Sequence, residues 1–262
     1  MNASRRRQVL GTLAAAATGG FASLRPAAAG DLRDVVSSVR NSVLPVGTFS
    51  ATDSPRFGFR GSGFVVGDGS LVATNYHVLP ALPDSSFGPR LAVLVRKILG
   101  PPELRLARVH ASDRARDLAL LKIEGEPLTP LSLAEADSAR EGQSVALMGF
   151  PVGDALGFAP VTHRGIVASI TSAALPAPTA QSLDPRAVAR LRDGANFTVL
   201  QLDATAYPGN SGGPLFDANT GQVLGVVNMV LIKGSRESAL TNPTGITYAI
   251  PVRYLLELLA AR

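Results

Sequence analysis

The segment that decides the fold is Pro208-Gly209-Asn210-Ser211-Gly212-Gly213-Pro214. Glycines on both sides of a serine let the backbone turn sharply and expose the hydroxyl group. The same turn allows the amides of Gly209 and Ser211 to point at one spot, as an oxyanion hole requires. A shorter stretch such as Gly61-Ser62-Gly63 indicates only an ordinary turn. The longer segment therefore predicts a nucleophilic serine, Ser211.

A serine nucleophile needs a base within hydrogen-bond reach, and the chain has three histidines. His77 directly follows an apolar run, and the end of a strand can hold a side chain rigidly in a cleft. His110 and His163 have a weaker context, and a lone histidine is more often a surface residue or one with its hydrogen bonds already made. His77 is therefore the predicted base.

The acid that orients this base is predicted to be Asp117. It stands directly before Leu118-Ala119-Leu120-Leu121, at the mouth of an apolar strand, where an unpaired carboxylate would be costly. Contact with His77 would relieve that cost and would fix the tautomer of the imidazole. Most of the other acids lie in polar, loop-like stretches, where a solvated surface charge is the default interpretation.

Three motifs together resemble the HtrA/Deg branch of the chymotrypsin-like serine peptidases. They are Thr74-Asn75-Tyr76-His77-Val78, Arg116-Asp117-Leu118-Ala119-Leu120-Leu121-Lys122 and Gly209-Asn210-Ser211-Gly212-Gly213-Pro214-Leu215. The similarity covers nearly all of residues 31 to 254, and the chain order His, Asp, Ser is that of chymotrypsin. The resemblance implies an all-β fold, a chymotrypsin-like double six-stranded β-barrel with the active site between the barrels. It also implies catalytic roles for His77, Asp117 and Ser211, and an oxyanion hole built by Gly209, Asn210 and Ser211.

The resemblance places a substrate-binding pocket beside the nucleophile. Its walls would be Thr205, Ala206 and Tyr207, then Asn228, Met229 and Val230 on the following strand, and Ile246 near the base of the pocket. None of these side chains is charged, and binding of Lys or Arg would need a carboxylate. We therefore expect a small or medium aliphatic residue before the cut. Tyr207 and Met229 depart from the family pattern, and a narrower pocket would follow.

Asn210 stands where pancreatic-type relatives have an aspartate that pairs with a newly cut N-terminal amine. Asparagine cannot form this ion pair, so activation by cutting a propeptide is not expected. The resemblance implies instead that the ordering of a loop controls the oxyanion hole. Residues 173–196 occupy the place of the family's regulatory loop, and we hypothesise that they gate activity.

Runs of β-branched residues predict six strands in each of two barrels. The predicted strands are 43–50, 63–66, 71–74, 91–95, 104–110 and 118–123, then 144–149, 161–170, 198–203, 214–216, 222–231 and 245–250. They make a serine protease domain over 30–262, with a first barrel at about 43–124, a polar linker at 125–143 and a second barrel at 144–250. Short amphipathic helices are predicted at 31–40 and at 251–261.

Composition indicates a folded domain, because 46% of the 262 residues are hydrophobic and 17% are charged. The formal charge is +5, which raises the question of a nucleic-acid partner. Four arginines lie in residues 1–29, which contain no acid, so 21 basic and 20 acidic residues remain from Gly30 onward. The body is nearly neutral, and binding of nucleic acid is therefore not expected.

Residues 1–29 have the form of an export signal. An arginine cluster precedes a weakly apolar stretch over 9–24, and Ala27-Ala28-Ala29 supplies a cleavage site. Arg6-Arg7-Gln8-Val9-Leu10 resembles the twin-arginine consensus, which implies export of a folded protein. Cleavage after Ala29 and retention as an anchor are both open, and no other membrane span is expected. With the absence of cysteine, this predicts a periplasmic or secreted bacterial protein.

The resemblance implies polypeptide substrates, unfolded or misfolded proteins among them, and a role in envelope protein quality control. It leaves open whether the protein forms a homotrimer. No PDZ domain is expected, because the sequence stops after its final helix. No cofactor or metal ion is expected, because there is no H-E-x-x-H helix and no Cys/His cluster. The alternative is a catalytically silent or chaperone-like peptide-binding module on the same fold, which the complete triad argues against.

Overall fold

The computed structural model describes residues 30–80, 88–97, 99–151, 153, 157–172, 197–228 and 246–261. Within these ranges it contains twelve β-strands, two α-helices and two 3-10 turns. Four predictions fall outside the described residues, namely the export signal at 1–29, the gate at 173–196, and the pocket residues Met229 and Val230.

The strands divide into two groups of six. The first group is β1 (Val43–Phe49), β2 (Phe57–Val66), β3 (Leu71–Asn75), β4 (Arg90–Val95), β5 (Glu103–Asp113) and β6 (Leu118–Ile123). The second group is β7 (Ser144–Gly149), β8 (Val161–Ser172), β9 (Thr198–Asp203), β10 (Pro214–Asp217), β11 (Val223–Asn228) and β12 (Ile246–Pro251). Helix α1 (Leu32–Val39) precedes the first group, and helix α2 (Val252–Ala260) follows the second. The 3-10 turns are Arg40–Ser42 and Tyr76–Val78.

Each group closes into an antiparallel barrel. The strand order is β1-β2-β3-β6-β5-β4 in the first barrel and β10-β11-β12-β9-β8-β7 in the second. Closure pairs every strand with two neighbours and so removes unpaired sheet edges. The predicted double six-stranded barrel with short terminal helices is confirmed.

The strand ends differ from the prediction, and β2 differs most. It begins at Phe57 rather than at residue 63, because its first residues pair with β1, where Phe49 lies opposite Phe57. Gly61-Ser62-Gly63, interpreted from the sequence as a turn, is therefore part of a strand. A Cβ on Gly63 would lie 2.8 Å from side-chain atoms of Val46 and Val72, so close packing explains this glycine.

Apolar side chains form one core inside each barrel and a third core between the barrels. Fully buried members are Leu44, Val72 and Leu121 in the first barrel, Leu147, Leu202 and Leu215 in the second, and Phe64, Leu118 and Phe216 between them. Burial of each side chain of this size contributes about 1.5–3 kcal/mol to stability. Because the third core fixes one barrel against the other, side chains at the facing strand ends keep a defined relative position.

Helix α1 begins after Asp31, whose side chain accepts a hydrogen bond from Arg33 N at 2.9 Å. This cap satisfies one of the free amides at the start of the helix. Val35 and Val39 are the buried residues of the helix, and both belong to the core between the barrels. Among the described residues, no helix is long and apolar enough to cross a membrane.

Helix α2 connects the end of the second barrel to a turn of the first. Tyr254 Oη accepts a hydrogen bond from Thr198 N at 2.9 Å, and the Arg116 guanidinium lies 4.5 Å from the Tyr254 ring centroid. Arg116 Nη1 also lies 3.1 Å from Glu257 Oε2. Arg116 immediately precedes Asp117, so its contacts with helix α2 stabilise the turn that carries the Asp117 carboxylate.

Candidate active site

His77 and Asp117 meet at the ends of two paired strands. Strands β3 and β6 are antiparallel neighbours, with Asn75 opposite Leu118. His77 follows β3 and Asp117 precedes β6, so the register brings their side chains together. His77 Nδ1 lies 2.6 Å from Asp117 Oδ2, and the backbone N–H of His77 donates to Asp117 Oδ1 at 2.8 Å. The carboxylate therefore holds both the ring and the backbone of His77.

The backbone of Asp117 is also fixed. Its φ is +55°, a left-handed conformation that is uncommon outside glycine but tolerated by aspartate. Its carbonyl oxygen accepts hydrogen bonds from Tyr76 N and from Asn75 Nδ2, each at 3.1 Å. These contacts fix the turn in one conformation, so the carboxylate direction is set before any substrate binds.

Asn228, one of the predicted pocket residues, contacts Asp117 through its side chain. Its side chain is buried, and Asn228 Nδ2 donates to Asp117 Oδ2 at 2.7 Å. The same carboxylate oxygen thus faces both His77 and Asn228. The sequence held a usable signal, because Asn228 ends β11, whose six residues are all buried, and a buried amide requires a hydrogen-bond partner.

Ser211 lies in a tight turn between β9 and β10, and it is 6% exposed. Gly209 has φ +105° and Gly212 has φ +84°, which side chains rarely allow. A Cβ on Gly209 would lie 2.3 Å from the Phe150 carbonyl oxygen, and one on Gly212 would lie 2.1 Å from the Ser62 carbonyl oxygen. Conformation and crowding therefore both require these two glycines.

Asn210, the central residue of the predicted oxyanion hole, shapes the turn through its backbone. Its N–H donates to Tyr207 O at 3.0 Å, and its carbonyl accepts from Gly213 N at 3.0 Å. Its side chain is fully buried, and within the described part of the chain neither Oδ1 nor Nδ2 has a hydrogen-bond partner. The Asn210 side chain therefore does not tie this turn to a neighbouring element.

Three of the predicted pocket residues, Thr205, Ala206 and Tyr207, directly precede this turn. Ala206 is 7% exposed, whereas Thr205 and Tyr207 are half-buried. Ile246 begins β12, lies opposite Asp203 and is 43% exposed.

The two other histidines lie apart from the acid. His110 is exposed on β5. His163 on β8 packs against Tyr207, with ring centroids 5.6 Å apart, and its Nε2 is buried with no hydrogen-bond partner among the described residues. Burial lowers the pKa of His163, so it is neutral at neutral pH. The expectation of a histidine with its hydrogen bonds already made does not hold for His163 Nε2.

A comparison with protein families identifies the family of this chain. The profile of the family described as "Trypsin-like peptidase domain" matches residues 61–226, which is more than half of the chain. The chain belongs to the trypsin-like peptidase family. The match spans β2 to β11 and includes His77, Asp117 and Ser211.

Curated relatives of this trypsin-like peptidase are HtrA/Deg proteins. "Protease Do-like 5, chloroplastic" of Arabidopsis thaliana is 32% identical over 196 residues, covering 73% of this chain and 53% of that protein. "Probable periplasmic serine endoprotease DegP-like" of Pseudomonas fluorescens is 29% identical over 193 residues, covering 73% and 32%. "Serine protease HTRA2, mitochondrial" of Drosophila grimshawi is 28% identical over 243 residues, covering 88% and 48%. The chain thus spans about a third to a half of the length of these relatives.

Solved structures share the fold of this trypsin-like peptidase. "Crystal structure of Deg5" aligns with a TM-score of 0.60 at 24% identity, covering 86% of this chain and 90% of that one. "HtrA-type protease AlgW with tripeptide" aligns with a TM-score of 0.59 at 23% identity, covering 87% and 62%. The double barrel is therefore the fold of HtrA-type proteases.

Proposed function

We propose that this protein is a serine endopeptidase that cuts peptide bonds through a Ser-His-Asp triad and an acyl-enzyme. The observation that carries the proposal is the doubly hydrogen-bonded pair of His77 and Asp117, at 2.8 and 2.6 Å. A carboxylate that fixes both the position and the tautomer of an imidazole is the arrangement that a general base requires. Membership of the trypsin-like peptidase family supports the same activity.

In the proposed mechanism Ser211 Oγ attacks the peptide carbonyl while His77 Nε2 takes the serine proton. Asp117 stabilises the imidazolium that forms, and His77 then returns the proton to the leaving amine. The N–H groups of Gly209 and Ser211 donate to the oxyanion of the tetrahedral intermediate, and Asn210 shapes the turn between them. Water then hydrolyses the acyl-enzyme by the same proton path.

Asn228 has a supporting part in this mechanism. Its Nδ2 donates to Asp117 Oδ2 at 2.7 Å, so it restrains rotation of the carboxylate that faces His77. A hydrogen bond to an ionised acceptor is stronger than one between neutral groups. Asn228 thus keeps Asp117 aligned, while its backbone is proposed to pair with the substrate as an added strand.

The pocket favours small or medium aliphatic side chains before the cut. Thr205, Ala206, Tyr207 and Ile246 carry no charge, and the proposal assigns the same pocket to Met229 and Val230. An apolar pocket discriminates by size and rejects charged groups by the cost of their desolvation. We expect cleavage after Val, Ala or Leu.

A peptide-library cleavage assay on the full protein and on Ser211→Ala tests reaction and specificity together. The wild type is expected to cut after aliphatic residues, and Ser211→Ala is expected to cut nothing. A preference for Arg would contradict the pocket assignment. Equal cleavage by both proteins would contradict the triad. Peptide binding without any cleavage would favour the silent peptide-binding module.

The proposed setting is the bacterial envelope, where the enzyme would act on unfolded or misfolded polypeptides. The order of arginine cluster, weakly apolar stretch and Ala27-Ala28-Ala29 supports export through a twin-arginine-type signal. The mass of the protein recovered from the periplasm tests this. A chain beginning at Gly30 agrees with cleavage after Ala29, and recovery of the full-length chain only from the cytoplasm contradicts export.

A further inference from the structure

Ser62 lies where the first barrel meets the turn that carries the nucleophile. It belongs to β2, it is fully buried, and its partners in the second barrel are far away in sequence. Its N–H donates to Ser211 O at 2.8 Å. Its carbonyl accepts from Thr74 Oγ1 at 2.7 Å. The backbone of Ser62 is therefore fixed on one side by its own barrel and on the other by the nucleophile.

The hydroxyl group of Ser62 makes two further contacts with the second barrel. Ser62 Oγ donates to Gly209 O at 2.6 Å and accepts from Phe150 N at 3.0 Å. The donor and an acceptor lone pair of the hydroxyl are thus both in use. The Ser62 side chain of the first barrel thus joins Gly209, the first residue of the oxyanion turn, to Phe150, which follows β7 of the second barrel.

This contact restricts how the peptide groups around Gly209 can rotate. Its carbonyl is turned toward Ser62 Oγ, and its Cα is pressed against Phe150 O, where a Cβ would lie 2.3 Å away. This carbonyl shares a peptide plane with the Asn210 N–H, which donates to Tyr207 O at 3.0 Å, so both polar groups of the Gly209–Asn210 peptide are held. Rotation of the carbonyl would leave a buried hydroxyl and a buried carbonyl without partners, which is unfavourable.

The side chain of Asn210, the next residue of the turn, does not hold the turn in this way. Asn210 is fully buried, yet its side-chain oxygen and nitrogen have no partner within the described part of the chain. The ion pair that would order this turn in pancreatic-type relatives is absent, because residue 210 is an asparagine. Ser62 supplies a neutral hydrogen bond one residue earlier, at Gly209.

We propose that Ser62 is a positioning residue that holds the Gly209 carbonyl and so fixes the Gly209–Asn210 peptide, which lies between the two N–H groups proposed to donate to the oxyanion, those of Gly209 and Ser211. The inference rests on the proposed serine endopeptidase function and extends it to a residue outside the triad. Ser62 also aligns the two barrels at the site, since the strand that carries it belongs to the barrel of His77 and Asp117. Loss of its hydroxyl should impair the chemical step more than substrate binding.

The test compares Ser62→Ala with the matched control Ser42→Ala. Ser42 is also a buried serine, 1% exposed, and its Oγ donates to the carbonyl of Thr129 at 2.7 Å, away from the turn. Ser62→Ala loses two hydrogen bonds of a buried hydroxyl and Ser42→Ala loses one, so both variants should lose thermal stability, Ser62→Ala somewhat more. Only Ser62→Ala should lower kcat on a peptide substrate, by about 10- to 100-fold. A displaced oxyanion donor loses only part of the transition-state stabilisation that would be lost if the donor were removed. KM should change by less than about threefold, because the ground state does not use that donor.

Ser62→Cys provides the conservative variant, because a thiol of similar shape donates a weaker hydrogen bond. It should recover part of the kcat that Ser62→Ala loses. The proposal is overturned if Ser62→Ala keeps the wild-type kcat, or if Ser42→Ala loses as much kcat as Ser62→Ala. Absence of Ser211-dependent turnover in the wild type would instead refute the proposed function.

A crystal structure of Ser62→Ala tests the geometry without relying on activity. The Gly209–Asn210 peptide group is expected to rotate, so that the Gly209 carbonyl leaves the position it has beside Ser62 Oγ. An unchanged Gly209 conformation in this variant would overturn the positioning role. If Ser62→Ala does not fold, the same two measurements on Ser62→Cys decide the question.

Discussion

In the first barrel, His77 and Asp117 are joined by two direct hydrogen bonds, and both sit at the ends of strands in one β3–β6 register. In the second barrel, the turn around Ser211 depends on positive-φ glycines and on a hydroxyl that belongs to the other barrel. The proposed base, His77, is therefore preorganised by its own sheet, whereas the proposed oxyanion turn is organised by contacts across the interface between the barrels. Changes to the interface should affect the turn and leave the base in place.

The largest effect on kcat is expected from Asp117→Asn, in the part of the candidate site that the first barrel supplies. An amide in place of the carboxylate would favour the wrong tautomer of His77 and would not stabilise the imidazolium, so kcat should fall by about 10⁴-fold. Steady-state hydrolysis of a peptide substrate measures this loss. A decrease of less than tenfold would show that this carboxylate does not serve the base.

Gly209→Ala should have the next largest effect on kcat. It changes the part of the candidate site that the second barrel supplies. The added Cβ would meet the Phe150 carbonyl oxygen at 2.3 Å, so the turn must move and an oxyanion donor is lost. We expect kcat to fall by about 10²- to 10³-fold. Gly142→Ala is the matched control, because Gly142 also has a positive φ, +80°, but nothing lies within 4 Å of its Cβ position. Comparable loss of kcat in the control would contradict the account.

Asn228→Ala sharpens the comparison, because Asn228 belongs to the second barrel but serves the acid of the first. Removing its hydrogen bond to Asp117 Oδ2 should lower kcat by about 10-fold, less than Asp117→Asn, since the two bonds to His77 remain. Asn228→Asp would place a second carboxylate beside Asp117 and should cost more than Asn228→Ala. Kinetics of both variants on one peptide substrate test this order, and a reversed order would refute the assignment.

The smallest effect concerns His163 in the second barrel. Because burial lowers the pKa of His163, the unfolded chain takes up a proton at a higher pH than the folded chain does. The free energy of unfolding should therefore decrease as the pH falls below about 6.5, where an unfolded histidine titrates. His163→Phe should weaken this dependence in denaturant titrations between pH 7 and pH 5. Identical pH dependence in wild type and His163→Phe would contradict the prediction.

The sequence predicted what depends on local pattern. Apolar runs bounded by glycine and proline marked the barrel strands, and the short segments around His77, Asp117 and Ser211 predicted a triad, of which the structure shows His77 and Asp117 in direct contact. The contacts that could not be predicted from the sequence join residues that are far apart in the chain. Asn228 reaches Asp117 across 111 residues, and Ser62 reaches Gly209 across 147. Such partners are set by barrel closure and by the packing of one barrel on the other, which no local window contains.

Ser62 shows most clearly why a local interpretation failed. A serine between two glycines is a common turn, and here the same three residues continue a strand, with Ser62 opposite Pro45 of β1. The glycines permit close approach of neighbouring chain segments rather than a turn. Only the folded chain shows that the hydroxyl meets the oxyanion turn.

The most direct test of the central claim is covalent labelling with a fluorophosphonate, followed by mass spectrometry of the labelled peptide. The reagent reacts with a serine that a neighbouring base activates and whose phosphoryl oxygen an oxyanion hole stabilises. We expect one label per chain, on Ser211, with none on Ser211→Ala and strongly reduced labelling of Asp117→Asn. Absence of label on the wild type, or equal labelling of Ser211→Ala, would contradict this expectation.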